Sequence, residues 1–148
     1  MTGTPLPQPL TDWFATRGWQ PRRHQLAMLD AARAGHHALL VAATGAGKTL
    51  AGFLPTLAEL IEHPAEGLHT LYVSPLKALA VDIQRNLVTP LDEMNVSIRV
   101  ETRTGDTPSE RKARQRIKPP QILLTTPESL SLLLSYPDSI TMFDGLRT

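Results

Sequence analysis

Ala42-Ala43-Thr44-Gly45-Ala46-Gly47-Lys48-Thr49 is the stretch on which the reading of this sequence turns. It follows the apolar run Ala38 to Val41 and leads into Leu50 to Ile61, where Leu50, Phe53, Leu54, Leu57 and Ile61 recur at the helical period. Strand, glycine-rich turn and helix, with Gly-Lys-Thr at this spacing, make a phosphate-binding loop. A turn that merely joined strand to helix would need no lysine followed by threonine. A triphosphate requires many short hydrogen-bond donors, and a backbone can wrap it closely only where no Cβ intervenes, as at Gly45 and Gly47. The N–H groups that open the Lys48 to Ile61 helix, with its positive dipole end, face the anion. Lys48 would reach the β- and γ-phosphates as a point charge, and the Thr49 hydroxyl would ligate Mg²⁺. The candidate nucleotide site is therefore Thr44, Gly45, Ala46, Gly47, Lys48 and Thr49, joined by Gln25 below, with Lys48 and Thr49 also the candidate catalytic residues. A dinucleotide fingerprint is excluded, because Leu50 stands where its third glycine is required.

The composition sets bounds around that loop. The 148 residues suit one domain with a sizeable core, and 41% apolar with 20% charged residues are globular values. A net charge of +1 means that any nucleic-acid binding must come from local placement of charge. Cysteine is absent, which excludes disulfides and thiolate metal sites. Pro5, Pro7 and Pro9 stand where a signal peptide would carry its apolar core, and the apolar run Ala38 to Ala43 is too short to span a bilayer. The expectation is a soluble, cytoplasmic protein with no membrane partner.

Residues 1–10 read as a loose lead-in and 11–148 as one partial α/β domain. Thr11 to Arg17 is a short helix stopped by Gly18, and Pro21 to Ala34 a second helix capped by Gly35. Strands are expected at Ala38 to Val41, Thr70 to Val73, Val96 to Glu101 and Gln121 to Thr125. Pro55 should kink or shorten the helix after the loop. Further helices are expected from Ser74 and Pro75 to near Pro90, over Pro108 to Ile117, and over Pro127 to Leu134. Pro21, Pro75, Pro108 and Pro127 are each placed at a helix start, and Thr107 to Glu110 reads as a capping box. Alternating strands and helices imply a mainly parallel sheet with helices on both faces.

Three segments repeat one form, in which a strand ends, a small hydroxyl residue follows and a helix begins. They are Val73-Ser74-Pro75-Leu76-Lys77-Ala78-Leu79-Ala80, Thr102-Arg103-Thr104-Gly105-Asp106-Thr107 and Thr125-Thr126-Pro127-Glu128-Ser129-Leu130. In a doubly wound sheet the strands' carboxyl ends share one edge, so these hydroxyls are expected beside the phosphate loop. A row of capped helix starts can follow a nucleic-acid backbone without reading bases. Each segment alone is also ordinary capping. Upstream, Gly18 to Gln25 brings Gln25, whose amide can pair with an adenine edge, and Trp19 or Arg22, which could stack on the ring; alone this is also a plain helix start. The basic run Arg111 to Lys118 reads as a solvated helix face, and the histidines lack metal-site spacing. Asp92-Glu93 follows a helical pattern, not an apolar strand, and is rejected as a Mg²⁺-binding acidic box.

Together these segments resemble the first RecA-like domain of superfamily 2 DEAD/DExH-box helicases. They look most like the Lhr (large helicase-related) family, including its bacterial DNA-ligase-associated members. Gly18 to Gln25 is similar to the family's Q motif, Ala42 to Thr49 to motif I, Ser74 to Ala80 to motif Ia, Thr104 to Thr107 to motif Ib, and Thr125 to Leu130 to its TTPESL segment. The resemblance implies Gln25 on adenine, Gly45 to Thr49 on phosphates and Mg²⁺, and Ser74, Lys77, Thr104, Gly105 and Thr126 near a single- or double-stranded nucleic-acid backbone, DNA above all. It also implies an ATP-dependent helicase or translocase, with DNA repair and a DNA ligase or nuclease partner suggested by the family. The family's DExH box would follow the next apolar strand, which would begin at Leu146 to Thr148, and a second RecA-like domain would supply an arginine finger. The chain is therefore expected to be an N-terminal fragment that binds ATP without hydrolysing it alone, with uncovered sheet edges that favour aggregation. Two other readings stand beside it: a different P-loop ATPase or nucleotide kinase, and a non-catalytic nucleotide-dependent nucleic-acid-binding module.

Overall fold

The computed structural model describes residues 5–148, so the lead-in residues 1–4 lie outside it. The chain divides into two compact units, one running to Pro64 and one from Ala65 to Thr148.

The first unit holds helices α1 (Gln8–Thr16), α2 (Arg23–Arg33) and α3 (Lys48–Glu62), with α2 packed against α3. Helix α1 starts earlier than its sequence suggests: Pro9 sits in the first turn, and Leu10, Trp13 and Phe14 are buried. Residues 8–10 are therefore helical and not a loose lead-in. Helix α2 ends as expected. Gly35, at φ +72, closes it by donating to Ala32, and His36 donates to Ala31. Pro55 lies inside α3, which continues through it to Glu62.

The strand expected over Ala38 to Val41 is not formed. Residues 36–43 carry no regular secondary structure, and Leu39 and Val41 are 90% and 86% exposed. A strand exists only through its ladder, and among the described residues no segment pairs with this one.

The second unit is built on a parallel sheet of β1 (Thr70–Val73), β2 (Val100–Arg103) and β3 (Ile122–Thr125), in the order β1-β3-β2. Its helices are α4 (Lys77–Glu93), α5 (Ser109–Ile117), α6 (Pro127–Leu134) and α7 (Ser139–Met142). Central β3 is buried at every position, which accounts for its unbroken apolar run Ile122-Leu123-Leu124. Helix α4 packs against β2 and β3 through a face that buries Ala80, Ile83, Leu87 and Leu91. Leu123 leaves β3 on the side opposite Ile122 and Leu124 and joins Leu68, Leu133 and Met142 in a buried cluster. Along the outer side of β1, Thr148 donates to the His69 carbonyl at 3.2 Å and accepts from Leu71 at 2.8 Å.

Three boundaries differ from expectation for identifiable reasons. Helix α4 starts at Lys77, after Ser74 and Pro75, and runs through Pro90 to Glu93. Asn95, at φ 53, ends it, and Val96 donates back to Leu91. That reversal uses residues 96–99, so the strand expected from Val96 begins only at Val100, opposite Ile122. The capping box at Thr107 is absent because its hydroxyl accepts from the Thr104 amide at 3.0 Å, leaving Pro108 at the N-cap of α5. Of the four prolines expected to open helices, only Pro127 lies inside the first turn.

Candidate nucleotide and nucleic-acid sites

In the first unit, Gly45 and Gly47 adopt φ of +80 and +77, a region that favours glycine. Gly47 is the N-cap of α3 and provides no side-chain cap. The first helical bond closes from Ala51 to the Gly47 carbonyl at 3.0 Å, so the amides of residues 48–50 have no partner within the helix. Thr44, Gly45, Lys48 and Thr49 are exposed, with Ala46 and Gly47 half-buried. The loop thus joins left-handed glycines to an uncapped helix start flanked by a lysine and a hydroxyl. This donor set suits a polyphosphate with its counter-cation.

Residues of the upstream segment brace the loop. Arg22 donates from Nη1 to the Gly45 carbonyl at 3.1 Å, and Gln25 from Nε2 to the Gly47 carbonyl at 3.3 Å. Gln25 is buried, and its Oε1 accepts from the Arg22 amide at 2.8 Å. The amide expected to face adenine is therefore engaged on the loop itself. Trp19 lies edge-on to Trp13 at 5.8 Å, with the Arg17 guanidinium 5.3 Å from its ring centre.

In the second unit the three strands end on one rung: Val73 and Arg103 both stand opposite Thr125. The next residues, Ser74, Thr104 and Thr126, therefore follow side by side at the sheet's carboxyl edge. Ser74 donates its amide to the Thr125 carbonyl at 3.0 Å, and Thr125 donates its hydroxyl to the Arg103 carbonyl at 2.7 Å, stitching the edge together.

All three candidate hydroxyls are buried and locally engaged. Ser74 Oγ accepts from the Leu76 amide at 3.4 Å, Thr104 Oγ1 from the Asp106 amide at 3.3 Å, and Thr126 Oγ1 from the Ser129 amide at 3.4 Å. They shape the turns; the groups left in solvent are Lys77, Gly105 and Asp106. Lys77 Nζ lies 3.1 Å from Asp106 Oδ2, which ties the first of these turns to the second. Sequence reasoning gave Asp106 no role, because its partner is 29 residues away and no local pattern announces the pair.

Below the edge, Arg103 is buried and donates from Nη1 to the Lys112 carbonyl at 2.9 Å and to Gln115 Oε1 at 3.3 Å. Burial lowers its pKa from the usual arginine value; nearby Arg116 adds to that and Tyr136 opposes it. Of the basic run, Arg116 stacks on Tyr136 at 4.0 Å, and Arg114 stands 3.7 Å from Glu101.

Comparison with known proteins gives one answer throughout. The family model for DEAD/DEAH box helicases matches residues 22–147. An Lhr helicase of Mycolicibacterium smegmatis is 43% identical over 137 residues, covering 84% of this chain and 9% of the relative. A Lhr helicase/uracil glycosylase of Escherichia coli K12 is 41% identical over 143 residues, covering 84% of this chain and 9% of the relative. Among solved structures, Mycobacterium smegmatis helicase Lhr bound to ssDNA and AMP-PNP superposes with a TM-score of 0.86 at 38% identity, covering 95% of this chain and 19% of that one. The chain thus spans about a tenth of the length of these curated relatives and a fifth of the solved one. On the family model, which matches residues 22–147, the chain belongs to the DEAD/DEAH box helicase family.

Proposed function

We propose that this chain is the ATP-binding portion of an ATP-dependent DNA helicase or translocase. The observation that carries the reading is the uncapped start of α3 behind left-handed Gly45 and Gly47, with Lys48 and Thr49 open to solvent. Lys48 would neutralise phosphate charge, the amides of residues 48–50 would hold phosphate oxygens, and the Thr49 hydroxyl would hold Mg²⁺. Bound Mg²⁺ supplies charge neutralisation to a phosphoryl transfer. Gln25 and Arg22 keep the loop's carbonyls turned back, which leaves its amides for the anion.

At the strand-end edge, Ser74, Thr104 and Thr126 would hold turns that face a nucleic-acid backbone, with Lys77 and Gly105 on the exposed side. Contacts of that kind grip without selecting sequence. The relative solved with ssDNA and AMP-PNP supports both halves of the reading. The Lhr resemblance also supports a cytoplasmic setting, a role in DNA repair and a DNA ligase or nuclease partner. Among the described residues, no helix is long and apolar enough to cross a membrane.

The test is ATP hydrolysis by the intact protein with and without single-stranded DNA. The expected result is stimulation by DNA and loss of activity in Lys48→Ala. Hydrolysis indifferent to DNA, or phosphoryl transfer to a small acceptor, would instead identify another P-loop enzyme. Binding of both ligands without turnover would identify a non-catalytic module.

A further inference from the structure

The exposed end of the strand-end row carries a feature that the proposed grip on nucleic acid leaves unused. Lys77 opens α4, and its ammonium lies 3.1 Å from the carboxylate of Asp106 in the Thr104–Thr107 turn. Both side chains are in solvent, 54% and 80% exposed. Hydroxyl groups fix the backbone from which that carboxylate projects. The Asp106 amide donates to Thr104 Oγ1 at 3.3 Å, and the Thr104 amide donates to Thr107 Oγ1 at 3.0 Å. The lysine lies alongside Gly105, its Nζ 3.6 Å from where a Cβ would stand, an ordinary contact distance. The turn's backbone is thus held by hydroxyl groups, while the carboxylate and the ammonium both reach out from their elements into solvent and meet there.

We propose that Asp106 sets how strongly this edge holds a nucleic-acid backbone, by pairing with Lys77 and withholding that charge from phosphate. The inference rests on the reading that Lys77 faces nucleic acid. A solvent-exposed ion pair is weak and exchangeable, so a phosphate can displace the carboxylate. While the pair is intact, the lysine's charge is already neutralised and releases no counterion when a strand binds. Each phosphate that a free cation neutralises adds to affinity and steepens its fall with salt. Asp106 therefore lowers the grip and its salt dependence together, as suits a protein that must let go of a backbone as well as hold it.

The experiment measures equilibrium binding of the intact protein to a fluorescent single-stranded oligonucleotide by anisotropy across a salt series. The variants are Asp106→Asn, Lys77→Ala, the double variant, and Asp82→Asn as a control for the same charge change at another exposed position on α4. Freed Lys77 should tighten binding about three- to tenfold near ~50 mM salt and steepen the logarithmic salt slope by about 0.7. Asp106→Asn is expected to show both effects beyond Asp82→Asn, and to lose them in the Lys77→Ala background. If Asp106→Asn matches Asp82→Asn while Lys77→Ala weakens binding, the proposal fails and the nucleic-acid reading stands. Weaker binding in Asp106→Asn would also overturn it, since the carboxylate would then be orienting the lysine for its phosphate. Absent binding, or binding that none of the variants alters, would remove the underlying reading as well.

Discussion

The Nε2 of Gln25 lies 3.3 Å from the Gly47 carbonyl oxygen, and a Cβ added to Gly47 would stand 2.7 Å from that same nitrogen. One glycine therefore meets two demands: a left-handed backbone at φ +77 and room for the glutamine that braces it. Gly47→Ala should cost about 1–2 kcal/mol for the left-handed alanine alone. It should also push Gln25 off the loop. We expect AMP-PNP affinity to fall by at least about tenfold, a loss of roughly 1.4 kcal/mol or more by calorimetric titration. Unchanged affinity would show that the loop tolerates the side chain.

Gln25 accepts from the Arg22 amide and donates to the Gly47 carbonyl, so its two replacements should differ. Gln25→Ala takes away both hydrogen bonds, leaves the Arg22 amide and the Gly47 carbonyl without this partner, and should destabilise the protein by about 1–3 kcal/mol. Gln25→Glu keeps the acceptor but aims a carboxylate oxygen at a carbonyl beside the proposed phosphate site. It should bind AMP-PNP more weakly than Gln25→Ala does. The reverse order would mean that the donated hydrogen bond does not set the loop.

Gln115 is fully buried; it accepts from Arg103 and donates to Glu101 at 3.2 Å and the Thr102 carbonyl at 3.1 Å. Gln115→Ala leaves a buried guanidinium short of an acceptor and should lose about 2–3 kcal/mol in denaturant unfolding. The double variant Arg103→Met, Gln115→Leu removes the charge with its partner. It should cost less than the sum of the single changes. Additive losses would show that the two residues act independently.

Leu133 and Leu132 are neighbours on α6 with opposite environments: one fully buried against Leu68, Leu123 and Met142, the other 64% exposed. Leu133→Ala should cost about 2–5 kcal/mol. Leu132→Ala should stay within about 0.5 kcal/mol. Equal losses in thermal melts would refute the assigned packing.

Leu39 and Val41 are exposed on a segment that, among the described residues, pairs with no strand, so their apolar side chains are expected to favour self-association. Sedimentation of the 148-residue chain should show self-association that rises with concentration and that Leu39→Lys, Val41→Lys reduces. A monodisperse chain across that range would count against it.

What the sequence revealed depended on how local the cause was. Thr70 to Val73 and Pro127 to Leu134 were readable to the residue, since an apolar run or a Thr-Pro start decides them locally. The Gly45 and Gly47 conformations followed from phosphate-loop chemistry. Ala38 to Val41 has strand propensity but forms no strand, because propensity cannot supply a neighbouring strand. Val96 to Arg99 alternates in sequence, yet the turn at Asn95 claims it. Thr107 matched a capping box, but its hydroxyl had a nearer donor in the Thr104 amide. The first case fails for want of a partner, and the other two are decided by hydrogen bonds from backbone amides within five residues that periodicity does not register. Lys77 with Asp106 is a further pair that no periodicity could disclose.

The strand order β1-β3-β2 also governs when the second unit can assemble. Among the described residues, β1 and β2 do not pair with each other; each pairs with β3, the last of the three in the chain. A ribosome that has released Thr70 to Arg103 has therefore produced two strands with nothing to bind, and no sheet can nucleate before Ile122 to Thr125 emerges. Pairing partners so far apart along the chain make for slow closure. In pulse-labelled hydrogen exchange during refolding, the amides of β1 and β2 should gain protection together, in step with β3.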